Sequence, residues 1–226
     1  MSDITKEDIL AVVDSLVDEV LEEAEISEPP VDSEALARHL GLSVEEAESP
    51  GRPRANQSVI RIDPDWTPER RHAMIAMGIA KSLRDRLADK MGEMPEGMNA
   101  ASLMNLLGER LLVPQSWFAR DAREVGFDLA ALLERYRTAS AELLALRLLD
   151  GVESSIVALI DGDRVVWRRG NGVRANRQLS EAEKECLREV SDTGEAQIVR
   201  IDSWTVQGWP LSDGTRFVLR SVIDVD

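Results

Sequence analysis

Few side chains in this sequence could do chemistry. There are two histidines, His39 and His72, and one cysteine, Cys186. Neither histidine has a second His at a metal-binding spacing, and His72 has Glu69 one helical turn earlier, an ordinary surface pair. A single cysteine allows no intramolecular disulfide and no cysteine-based zinc cluster. Cys186 lies between Glu185 and Leu187 in a helical stretch, with no nearby His to activate it, and is expected to be a buried small hydrophobe. Lys81 is followed by Ser82, but adjacent residues stand about 100° apart around a helix, a poor placement for serine–lysine hydrolysis. Lys81 is instead expected to reach solvent or to pair with Asp85, four residues on. Arg164, Arg168, Arg169, Arg174 and Arg177 form a basic cluster with no acid in residues 164–177. A solvated hairpin and loop accounts for it; the alternative is a site for an anion, a nucleic acid or an acidic region of another subunit. Gly170-Asn171-Gly172 lacks the Gly-x-x-x-x-Gly-Lys context of a phosphate-cradling loop.

Charge is distributed unevenly. The net charge is −15, and residues 1–50 carry −13 of it, with Lys6 and Arg38 as their only cations. Such an N-terminal surface opposes nucleic acid and favours solubility or a basic partner. The 226 residues suffice for one large domain or two small ones. No run of 18 apolar residues exists, so no membrane span is expected. Met1 to Asp8 do not read as a signal peptide, and the expected compartment is the cytoplasm.

The elements that must position these residues can be read from periodicity and punctuation. Ile9, Val12, Val13, Leu16, Val17, Val20 and Leu21 mark an amphipathic helix over 5–24, with Thr5 as N-cap and Asp8 three residues later. Pro29 and Pro30 follow. A short helix is expected at 32–40, with Gly41 beyond its end, then a short strand at 42–44. Residues 49–57 read as a loop and Ser58–Asp63 as a half-buried strand. Thr67, Pro68 and Glu69 open a helix running to about 89. A flexible connection at 91–99 leads to a helix over 100–112, a short helix at 115–122, and two more at 128–136 and 139–149. After Gly151 the pattern changes to strands at 155–160 and 164–169 around Asp161-Gly162-Asp163. A helix then begins at Ser180, with Glu183 completing a capping box. Strands at 196–201, 204–211 and 216–222 follow. The fold class expected is α+β, with a helix-rich domain over 1–150 and a small α+β domain over 151–226.

Three stretches resemble the ImmA/IrrE-type zinc metallopeptidases: Glu28-Pro29-Pro30 through Val44, Val59–Pro64 leading into Pro68–Arg71, and Asn105 through Leu111-Leu112-Val113-Pro114. Residues 127–150 resemble the helix-turn-helix-like segment that follows in that family. The resemblance implies His-Glu-x-x-His on the helix after the strand, where residues four apart share a face, so that both imidazoles reach one zinc ion. The intervening Glu would act on the metal-bound water. The corresponding run here is Ala76-Met77-Gly78-Ile79-Ala80-Lys81. Met77 and Lys81 occupy the ligand positions and Gly78 that of the base. A thioether is a poor zinc ligand, an ammonium group repels a dication, and glycine accepts no proton. The later ligand, a Glu in the family, would fall at 101–103, which holds Ala101, Ser102 and Leu103.

The resemblance therefore implies a pseudo-peptidase without cofactor, catalytic residue or metal. Such a chain would be a regulatory protein acting through a protein partner, such as a DNA-binding repressor, or through self-association. Nucleic acid is not an expected partner, because residues 138–150 would offer a reading helix little beyond Ala and Leu. Two alternatives stay open: an enzyme with a relocated or non-zinc site, and a DNA-binding regulator. The strand-strand-helix-strand-strand-strand order of 151–226 resembles a GAF-like sensor module. Arg168, Arg169, Trp204 and Trp209 are the candidate binding residues there. Trp204 and Trp209 have opposite strand parity and are expected on opposite faces of their sheet.

Overall fold

The computed structural model describes residues 5–48, 58–92, 99–151 and 153–223. The loop expected at 49–57 and most of the connection expected at 91–99 lie outside them. The chain divides into two compact units, residues 1–120 with 134–140, and residues 121–133 with 141–226.

The first unit is helical around a small parallel β-pair. Helix α1 (Lys6–Glu23) starts with the anticipated capping box, in which Thr5 Oγ1 accepts from Asp8 N and the Asp8 carboxylate accepts from Thr5 N. Its apolar stripe is buried at Ile9, Val13, Leu16, Val17, Val20 and Leu21. The Pro29–Pro30 peptide is cis. Asp32 caps α2 (Ser33–His39), accepting from Glu34 N and Ala35 N. Strands β1 (Ser43–Glu46) and β2 (Val59–Ile62) pair in parallel. Along β2, Ile60 and Ile62 are buried while Arg61 is exposed, the alternation expected of a half-buried strand.

Helix α3 (Pro68–Ser82) has Thr67 as N-cap and Pro68 in its first turn. Arg71, on its first turns, bonds Glu46 at 3.1 Å and Glu34 at 3.3 Å, tying the helix to β1 and α2. The single helix expected over 68–89 is two, because the chain breaks at Leu83 before α4 (Arg84–Met91). At the break the Ser82 hydroxyl donates to the Ile79 carbonyl at 2.8 Å, the local side-chain competition that bends helices. Helix α5 (Ala100–Leu112) follows, capped by Asn99. Helix α6 spans Gln115–Glu124. Phe118 and Tyr136, both fully buried, meet edge to face at 5.9 Å.

The second unit is a five-stranded antiparallel sheet. Its strands are β3 (Ser155–Asp161), β4 (Arg164–Asn171), β5 (Gln197–Ile201), β6 (Trp204–Pro210) and β7 (Arg216–Ile223), in the order β4-β3-β7-β6-β5. Helix α9 (Glu181–Thr193) covers one face, burying Ala182, Cys186 and Val190 against Ala158, Ile160, Val206, Phe217 and Leu219. Segments 121–133 and 141–150, including most of α7 (Leu129–Arg135), α8 (Ala141–Arg147) and a 3-10 turn (Leu148–Asp150), serve the opposite face. This differs from a boundary at 151. Every residue of β3 from Ser155 to Ile160 is buried, so the sheet needs cover on both faces, and the preceding helices supply the second layer.

The two tryptophans of β6 obey the parity argument. Trp204 packs with the α9-side cluster, whereas Trp209, on the other face, is 4% exposed and donates its indole N–H to Asp128 Oδ1 at 2.8 Å. The same oxygen accepts from Ala130 N at the start of α7. Replacing Trp209 with Phe keeps an aromatic ring and removes this donor. We expect a loss of about 1–2 kcal/mol, seen as a lower urea midpoint with an unchanged slope.

Candidate functional site

The helix positions that the resemblance assigns to zinc differ in burial, Gly78 being buried and Met77 and Lys81 half-buried. Met77 is half-buried against the first unit's apolar cluster. Gly78 is buried beneath β2: a Cβ placed on it would lie 2.7 Å from Ile60 Cδ1 and 2.8 Å from Ile60 Cγ1. On the other side, a Cβ on Gly108 of α5 would lie 3.3 Å from the Met77 amide nitrogen and 3.4 Å from the Ala76 carbonyl oxygen. Two glycines thus let α3 approach both a strand side chain and a helix backbone closely. Lys81, at the second ligand position, is half-buried. In the 101–103 window Ala101 and Ser102 are exposed, and Leu103 is buried. His72 Nδ1 lies 2.8 Å from Ser33 Oγ, and His39 is exposed elsewhere on α2. Among the described residues no three His, Cys, Asp or Glu side chains are grouped so as to hold a metal ion.

Cys186 is fully buried on α9, with its sulfur 3.7 Å from the Val206 carbonyl oxygen. Burial pushes its thiol up to about 12, with the Glu189 charge adding to the effect. The thiolate needed for nucleophilic attack is therefore disfavoured at neutral pH.

The candidate binding residues of the second unit separate. Arg168 and Trp204 belong to the α9 face. Arg169, paired across from Val157, points to the opposite face and is exposed, and Trp209 is the buried donor to Asp128. Arg168 is not a free cation. Its guanidinium makes contacts of 2.9, 3.0 and 3.2 Å with the Glu183 carboxylate, and the two side chains are 7% and 1% exposed. Glu183 also accepts from Ser180 N at 2.7 Å, closing the capping box of α9, and from Ser221 Oγ of β7 at 2.9 Å. Arg168 in turn donates to the Asn176 carbonyl at 2.6 Å. One ion pair therefore joins β4, β7, the start of α9 and the loop between β4 and α9.

That loop closes down on the sheet at Gly170, where a Cβ would overlap the Val173 carbonyl oxygen at 2.2 Å. Beneath it lies a pocket of about 530 Å³, lined by Ile156, Leu179 and Trp204 and by Arg168, Arg174 and Arg177. Its lining contains no acid. Sequence reading placed Arg174 and Arg177 in the basic cluster without assigning them a pocket. It recognised Glu183 only as a cap, since nothing local signals its partner on β4. A second pocket, of about 450 Å³ on the first unit, is rimmed by Asp18, Glu22 and Glu25 beside Trp117. Met77, Gly78 and Lys81 line neither.

Among solved structures, a Mycobacterium tuberculosis transcriptional regulator superposes with a TM-score of 0.64. The two chains are 15% identical, and the match covers 96% of this chain and 80% of the regulator. At that identity the likeness defines a shared α+β fold and nothing finer. No protein-family model matches the sequence, and no curated protein matches it. No helix among the described residues is long and apolar enough to cross a membrane.

Two expectations follow. Gly78→Ala should lower stability by about 1–3 kcal/mol through overpacking. Ile60→Val, combined with it, should recover part of that loss, as a double-mutant cycle of urea midpoints would show. Cys186 should resist Ellman's reagent in the native protein and react fully in guanidinium; rapid native labelling would contradict the burial described.

Proposed function

We propose that this chain is a non-catalytic regulatory protein, a degenerate relative of the ImmA/IrrE-type peptidases that works by binding a protein partner. The observation that carries this reading is the state of the α3 face. The position of the general base is a glycine held under Ile60, and the first ligand position is a half-buried methionine packed against the core. A carboxylate could not enter position 78 without displacing β2 or Ile60. Hydrolysis needs a cleft with convergent acid and base groups, and Met77, Gly78 and Lys81 line neither of the two pockets described above. The structural neighbour's description as a transcriptional regulator favours a role in controlling gene expression, and a DNA-binding repressor is the partner class we assign.

Direct reading of DNA by α8 is the second reading, favoured by the same neighbour. The side chains of α8 speak against it. Arg147 is 4% exposed and paired with Asp150 at 2.7 Å, and Glu142 accepts from Arg216 at 2.7 Å. A reading helix needs exposed donors aimed at base edges. Here the exposed polar side chain carries negative charge, which phosphates repel.

The test has two arms. Metal analysis of the purified protein should find far less than one zinc per chain, the stoichiometry of a catalytic site. In the source cell, deletion should alter a defined set of transcripts, and both the wild-type chain and Lys81→Ala should restore them. One zinc per chain, or failure of Lys81→Ala to complement at normal protein level, would overturn the non-catalytic reading.

A further inference from the structure

The geometry points to a small-molecule site in the second unit: the pocket between the β4–α9 loop and the end of the sheet binds an organic anion with a flat apolar body. Its size falls within the range of drug-sized ligand pockets, about 300–1,000 Å³. Its construction is mixed in the manner such pockets require. Ile156 and Trp204 stand at one end of the sheet on either side of β7, since Ser155 pairs with Val222 and Trp204 with Ile223. With Leu179 they supply an apolar floor and an aromatic face on which a planar group can stack.

Charge decides the ligand's sign. The whole chain carries −15, yet this lining holds three arginines and no carboxylate. Arg168 is neutralised by Glu183, so its part is to hold the wall in place through the Asn176 carbonyl. Arg174 and Arg177 are exposed and lie on the loop, where each can present a guanidinium fork to a carboxylate, sulfonate or phosphate. The size and lining favour a small molecule over a polymer. An apolar floor with one aromatic ring suits a single planar group, whereas nucleic-acid grooves stack successive bases on several rings along a track.

This site does not depend on the reading of α3, and the two fail separately. The test uses the full chain and two dyes of matched shape, anionic 8-anilinonaphthalene-1-sulfonate and uncharged N-phenyl-1-naphthylamine. The sulfonate should bind at one site per chain, and the amine about tenfold or more weaker. Arg174→Gln with Arg177→Gln should weaken the sulfonate by about tenfold and leave the amine unchanged. Trp204→Ala should abolish both, and Trp204→Phe should retain both if stacking is the cause. Circular dichroism confirms that each variant is folded. Equal affinity for the two dyes, or sulfonate affinity unchanged in the double arginine variant, would overturn the proposal. A labelled single-stranded oligonucleotide whose binding is lost in that variant while sulfonate binding persists would also overturn it, assigning the arginines to a nucleic-acid backbone.

Discussion

The close approach of α3 to its neighbours governs the first unit. Gly78 accepts the Ile60 side chain of β2 where any other residue would project a Cβ into it, and Gly108 lets α5 come down on the backbone at Ala76 and Met77. Packed interiors tolerate little change in volume, so this arrangement settles what the helix can present. At Gly78 the Ile60 side chain fills the space that a longer side chain would need. The chemical identity of Met77 and Lys81 and the sterics of Gly78 point the same way, from independent causes.

In the second unit a comparable role falls to the Arg168–Glu183 pair. Ionised side chains this deeply buried are retained only with good geometry and further hydrogen bonds. Here the carboxylate also accepts from Ser180 N and Ser221 Oγ, and the guanidinium donates to the Asn176 carbonyl. The pair fixes the start of α9 and the loop before it over the sheet. The neighbouring Arg174 and Arg177 are exposed, and the lining they share with Arg168 holds no acid. A pocket with a positive rim in an acidic chain is the consequence.

Much of the local structure was legible in the residues. The capping boxes at Thr5/Asp8 and Ser180/Glu183, the turn at Asp161-Gly162-Asp163 and the parity of Trp204 and Trp209 all depend on a few adjacent residues, and local physics suffices for them. The burial of Cys186 followed from its place on an amphipathic helix. The break at Leu83 did not, because a Ser82 hydroxyl can equally point to solvent, and only packing selects its bond to the Ile79 carbonyl. The two compact units divide elsewhere than at 151, since the need for cover on the far side of the sheet is invisible in any single segment.

The sequence by itself determined the residue types at positions 77, 78 and 81. Residue type alone denies zinc a ligand set at Met77 and Lys81 and denies hydrolysis a base at Gly78. Tertiary structure alone decided which of five arginines is spent on an internal ion pair and which two rim a pocket. It also decided that Trp204 lines that pocket while Trp209 is committed to Asp128. The reason is that side-chain identity is a local property, whereas the partner of a charge and the face of a ring depend on strand order. The order β4-β3-β7-β6-β5 arises from contacts between residues far apart in the chain.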